Sequence, residues 1–173
     1  RIPVPELVLL GMSLSIVITI FMFSDRFGLS SSEEFIRQRL AGSIKTEHFE
    51  MIYSAGDLSR ERAEELGRLH EYYFDRLTRD LDIRFDKRIE SYVYATPEQK
   101  GRLIGAAQTD ISKPWLDQIH INLSDVEVGL KHAMVHVLAG EFGWSFMKIS
   151  HNSGLVEGLA VAFGDDLWNG EPL

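Results

Sequence analysis

An α+β fold, with helices laid on one side of a mixed sheet, is what this sequence predicts, and three patterns predict it. Short segments near residues 48–53, 88–96 and 118–123 alternate apolar and other residues, as strands with one buried face do. Between them, Ala63, Leu66, His70, Tyr73, Leu77 and Leu81 recur every three or four positions and make one helical stripe. Toward the C-terminal end, Ser124-Asp125-Val126-Glu127 has the form of an S-x-x-E capping box and opens a helix, with a further apolar helix after it.

Taken in order, the chain begins with an apolar run. Leu7 to Phe23 carries no charge, and Val4 to Phe23 contains only Glu6. About 20 apolar residues cross a bilayer as a helix, so residues 1–24 predict one transmembrane helix. A signal-peptide core would end in a small-residue cleavage site, whereas this run ends Phe21-Met22-Phe23-Ser24-Asp25-Arg26. The expectation is a membrane protein with the bilayer as partner, its globular part favoured on the extracytoplasmic side. Arg1 on one flank and Arg26, Arg37 and Arg39 on the other, diluted by Glu33 and Glu34, do not set the orientation. Residues 25–45 read as a juxtamembrane connector. In it Ser30-Ser31-Ser32 and Glu33-Glu34 start a short helix with Phe35, Ile36 and Leu40 on one face.

The globular domain is expected over 46–173, continuing beyond Leu173. Phe49, Met51 and Tyr53 line one face of its first strand, Gly56 and Asp57 break it, and Ser59 caps the long helix to about Leu81. The strand from Arg88 to Thr96 sets Ile89, Ser91, Val93 and Ala95 against Tyr92 and Tyr94, and Pro97 ends it. Leu103 to Gln108 is a weaker strand. Gln118 to Leu123 places Ile119, Ile121 and Leu123 against His120 and Asn122. The helix opened by Ser124 runs to Ala139 and stops at Gly140; the last helix spans roughly Leu155 to Trp168.

Composition narrows the function. The net charge is −8, so no basic face is available for phosphates and nucleic acid is excluded as a partner. There is no cysteine, so a transition metal must be held by histidine and carboxylate.

His132 and His136 lie four apart on a helix, so both imidazoles project from one face and can reach one ion. On spacing alone two ordinary helical histidines, one packed and one solvated, explain the pair equally well. Around them Leu130 to Ala139 is apolar, and two unpartnered imidazoles inside a core would each need a hydrogen-bond partner. Glu157 stands in a second apolar segment, Gly154 to Phe163, where an unpaired carboxylate is costly. Two neutral imidazoles and one carboxylate with an open fourth position make the His₂Glu set of a catalytic zinc site.

These segments resemble the gluzincins, the thermolysin-like peptidases of the MA clan, which carry H-E-x-x-H on one helix and a glutamate on a following helix. Twenty residues separate His136 from Glu157, and G-L-x-E-G-L-A around Glu157 is the more specific half of the match. The resemblance covers roughly residues 46 to 168. It implies a zincin-like N-terminal lobe with a mixed sheet, an active-site helix and a glutamate helix. It implies a Zn2+ cofactor on His132, His136 and Glu157, hydrolysis of a peptide or protein substrate, and an edge strand at Gln118–Leu123 lining the cleft. His120 and Asn122 are then expected to border the substrate groove.

One position departs from the family. Where the general-base glutamate belongs stands Ala133, which accepts no proton, although zinc binding should survive because that glutamate is not a ligand. Either a glutamate was replaced to trap an inactive enzyme, which the other motif residues favour, or the chain is a natural pseudopeptidase that binds or regulates a membrane protein. Asp165 and Asp166 are candidates for orienting a metal-bound histidine or for a solvated helix end. His48, His70 and His151 read as surface or half-buried residues, and Trp115, Trp144 and Trp168 as packing residues.

Overall fold

The structure is a computed structural model that describes residues 4–22, 32–142 and 153–163. Its order is α1 (Val4–Met22), α2 (Glu33–Leu40), β1 (Ala41–Lys45), β2 (Phe49–Ser54), α3 (Arg60–Asp80), β3 (Ile89–Tyr94), α4 (Pro97–Ile104), β4 (Ile111–Lys113), β5 (Gln118–Asn122), α5 (Val126–Ala139) and α6 (Ser153–Phe163). The five strands form one mixed sheet in the order β1-β2-β3-β5-β4. β2, β3 and β5 run parallel, and β1 and β4 flank them antiparallel. The α+β class expected from the sequence is present.

Strand alternation sends the apolar side chains to two faces. Phe49, Met51, Ile89, Val93, Ile119 and Ile121 join Leu66, Leu77, Leu130, Met134 and Val137 in the main core, between the sheet and α3, α5 and α6. On the other face Ile52, Tyr92 and Tyr94 pack with Ile36, Leu40 and Leu103 from α2 and α4. Helices therefore cover both faces, not one. The long helix is capped as expected, Ser59 accepting the Arg62 N–H. Ser32 likewise accepts the Phe35 N–H.

Four expectations are corrected here. The apolar run is a helix of 19 residues with Val8, Leu9, Leu10 and Met12 among its exposed side chains. Among the described residues no helix is long and apolar enough to cross a membrane. The transmembrane helix, the membrane location and the bilayer partner drawn from that run are withdrawn.

Second, residues 32–45 are no mere connector. Ile36 and Leu40 are buried, Arg37 bridges Glu50 and Glu90, and β1 pairs with β2 from Ala41↔Ser54 to Lys45↔Glu50. A side chain at Gly42 would stand 2.7 Å from the Tyr53 ring, so the strand needs glycine where it crosses that tyrosine. Third, the strand expected over 103–108 is absent, because Thr96 caps and Pro97 begins α4, which runs to Ile104. Fourth, the capping box does not form. Ser124 Oγ turns to Asp125 Oδ1 at 2.8 Å, Arg62 holds Glu127 at 3.3 Å, and a 3₁₀ turn leads into α5.

Candidate metal centre

α5 is apolar almost all round, with Leu130, Met134, Val135, Val137 and Leu138 fully buried. Its two histidines occupy the strip left open. His132 is 30% and His136 21% exposed, and their Nε2 atoms lie 3.0 Å apart. α6 packs against α5 through the fully buried Ala160, one turn beyond Glu157. That docking brings Glu157 Oε1 to 3.7 Å from His136 Nε2 and Oε2 to 3.9 Å from His132 Nε2. Burial holds the His136 imidazole below its ordinary pKa, with Glu157 opposing and His132 adding to the shift.

The donor set fits a zinc ion. One donor atom from each of the three residues lies within 4.8 Å of the others. Ligands about 2.0–2.1 Å from a tetrahedral zinc stand about 3.3 Å apart, between the observed nitrogen–nitrogen and nitrogen–oxygen separations. Both imidazoles aim the same ring nitrogen at one point. Glu157 differs from expectation in one respect. Its side chain is 62% exposed, so the cost of burial gives it no reason to seek a partner, and its position alone makes it a ligand candidate.

The three residues line a cleft of about 390 Å³ together with Asp110, Ser112, Pro114 and Ala133. Ala133 lines this cleft beside the ligand candidates. Ser112 Oγ donates to the Ala133 carbonyl oxygen at 2.9 Å and ties β4 to α5. The edge strand beside the cleft is therefore β4, not Gln118–Leu123.

β5 lies inside the sheet between β3 and β4, which moves His120 and Asn122 out of the groove. They are 1% and 0% exposed and point to the opposite face from Ile119 and Ile121. His120 stacks on Tyr92 at 4.7 Å, and its Nδ1 shares a 2.8 Å hydrogen bond with the Tyr94 hydroxyl. Burial, with Lys113 and Lys100 adding, pushes its pKa down to about 3. Asn122 donates to the Ala107 carbonyl and to Asp125.

His70 is also fully buried, against expectation. Its Nδ1 lies 2.7 Å from the Leu66 carbonyl and so carries the proton, leaving Nε2 to accept from Ser91 Oγ at 2.8 Å. Burial lowers its pKa to about 4. His48 is half-buried as expected, stacked on Phe74 and bonded to Glu71. Trp115 is 53% exposed rather than packed. Trp144, His151, Asp165, Asp166 and Trp168 lie outside the described residues.

Asp110, Ser112 and Pro114 give no signal in the sequence, because Ser112 lies in a strand of three residues, too short to show a period, and the other two only flank it. Compared with known proteins, the chain matches no family model, no curated sequence and no solved structure.

Proposed function

We propose that this domain is a zinc-dependent peptide-bond hydrolase of the gluzincin type, with His132, His136 and Glu157 holding the metal. The observation that carries the reading is the convergence of three donors, 3.0 to 3.9 Å apart, at a cleft beside the edge strand. When bound, zinc polarises a carbonyl oxygen and acidifies water. The chain's own residues do the rest. β4, which among the described residues pairs only with β5, offers its outer backbone groups to an extended peptide, which is the substrate class the cleft suits. Ser112 fixes that strand relative to the helix carrying the two histidines.

Ala133 cannot take a proton, so α5 supplies no general base at the position where a gluzincin carries its glutamate. That same alanine favours the second reading, a pseudopeptidase whose zinc site serves the binding of a partner protein. The two readings separate on one substitution. Ala133→Glu, loaded with zinc and offered a broad peptide library, should gain about 10²–10⁴ in hydrolysis rate with unchanged metal content, the usual worth of a positioned general base. Full zinc occupancy with no cleavage by the substituted protein would favour the binding module.

A further inference from the structure

We propose that Asp110 is the proton acceptor of this cleft, presented from the edge-strand side, while the helix side offers only Ala133. The inference rests on the reading of the cleft as a metal site.

Asp110 immediately precedes β4 and lines the same cleft as His132, Ala133, His136 and Glu157. Its carboxylate is held, not free to swing. Oδ1 accepts from Lys100 Nζ at 3.0 Å, and that lysine is itself fully buried and donates a second bond to the Thr109 carbonyl at 2.9 Å. The Asn122 backbone N–H also bonds the group. An ionised carboxylate has about four lone-pair sites, so these partners leave it able to accept a proton.

The placement of Oδ2 is the informative part. It rests so close to α5 that a side chain at Gly129 would put a carbon 2.6 Å from it. Gly129 comes one turn before Ala133 and three and seven positions before His132 and His136, so it shares the helix face that carries the two imidazoles. The missing side chain opens the place where the carboxylate lies against that face. Lys100 and the Asn122 N–H hold the carboxylate so that Oδ2 lies against this face of α5.

The charged groups facing Asp110 are Lys100 from α4 and Asp125 from the turn before α5, and it shares the cleft with His132, His136 and Glu157. Burial raises its pKa, with Lys100 opposing, which suits a group that must pick up a proton and give it back. In the step itself, a cleft water gives a proton to the carboxylate. Its O–H bond breaks, an O–H bond forms on Asp110, and the oxygen uses the freed pair to attack a peptide carbonyl carbon. The carbonyl π pair moves to its oxygen. As the pair returns and the C–N bond breaks, the proton passes from Asp110 to the departing amine.

The test replaces zinc with cobalt(II), whose visible bands report ionisation beside the metal, and compares pH titrations of the unaltered chain, Asp110→Asn and Gly129→Ala. The unaltered chain should show, beside the ionisation of any metal-bound water, a second inflection that Asp110→Asn abolishes. Gly129→Ala, which displaces Oδ2, should move it by about one pH unit or more, the scale on which neighbours shift a carboxylate. If Asp110→Asn fails to fold because Lys100 loses its counter-charge, Gly129→Ala decides alone, since alanine favours a helix over glycine. Cobalt bound by all the folded proteins with superimposable titrations overturns the role of Asp110. Failure of the unaltered chain to bind cobalt overturns the metal reading beneath it.

Discussion

The two sides of β5 treat histidine in opposite ways. On the core side, beyond Ile119 and Ile121, α5 presents His132 and His136 half-exposed, with like nitrogens 3.0 Å apart and a carboxylate facing both. On the other side His120 is sealed between two tyrosines, one stacked on its ring and one bonded to it. Both arrangements place polar groups in apolar surroundings, but only the first gathers donors around a point that solvent can reach. Residue type does not separate a ligand from a packing residue. Convergence and access do.

That contrast can be broken most severely with acid. A histidine whose folded pKa lies below its unfolded value of about 6.5 takes up a proton more readily in the unfolded chain, so stability is lost as pH falls. The window runs from about 6.5 down to about 4 for His70 and to about 3 for His120. Between pH 7 and pH 5 each sealed histidine should cost about 2 kcal/mol. Metal-free protein is the right sample, because acid also releases metal from imidazole. His136, held down by burial in the same direction, adds to the loss. Urea unfolding at the two pH values checks this, and equal midpoints would show that the buried rings protonate without opposition.

A smaller effect sharpens the contrast on the sealed side alone. His120→Ala removes a stacked ring and leaves the Tyr94 hydroxyl without its partner, so it should lower stability by about 2–4 kcal/mol. Zinc content should not change. Loss of zinc in that variant would mean that the two sides of β5 are coupled.

Much of this fold was legible because local chemistry and tertiary packing agree. Ser59 and Ser32 precede apolar stripes and do cap helices. The alternation in Phe49–Tyr53 and Ile119–Ile121 matches the face each residue takes. Failures came where a local signal had a competitor. Ser124 and Glu127 fit a capping box, but Asp125 and Arg62 stand closer to their side chains' reach and take them. Thr96-Pro97 ends a strand and begins a helix with the same two residues, and only the first half was read. β1 escaped notice because Ala41-Gly42-Ser43 carries no apolar alternation to read.

At the site, His132 and His136 were legible from helical spacing, and Glu157 from its place in an apolar segment. The cost of burying a carboxylate, which singled out Glu157 in the sequence, does not hold in the structure, where its side chain is exposed and only its position beside the two imidazoles makes it a candidate. His120 and Asn122 were misplaced because alternation reveals two faces of a strand without revealing its position in the sheet. Asp110 was out of reach, since only the tertiary fold carries it to Gly129.

The central claim is that His132, His136 and Glu157 hold one zinc ion, and metal analysis of the purified chain tests it most directly. The account predicts close to one zinc per chain, falling to near zero in His132→Ala and in Glu157→Ala while His120→Ala keeps its metal. Zinc that persists in His132→Ala, or an unaltered chain that takes up none from zinc-containing buffer, would contradict it.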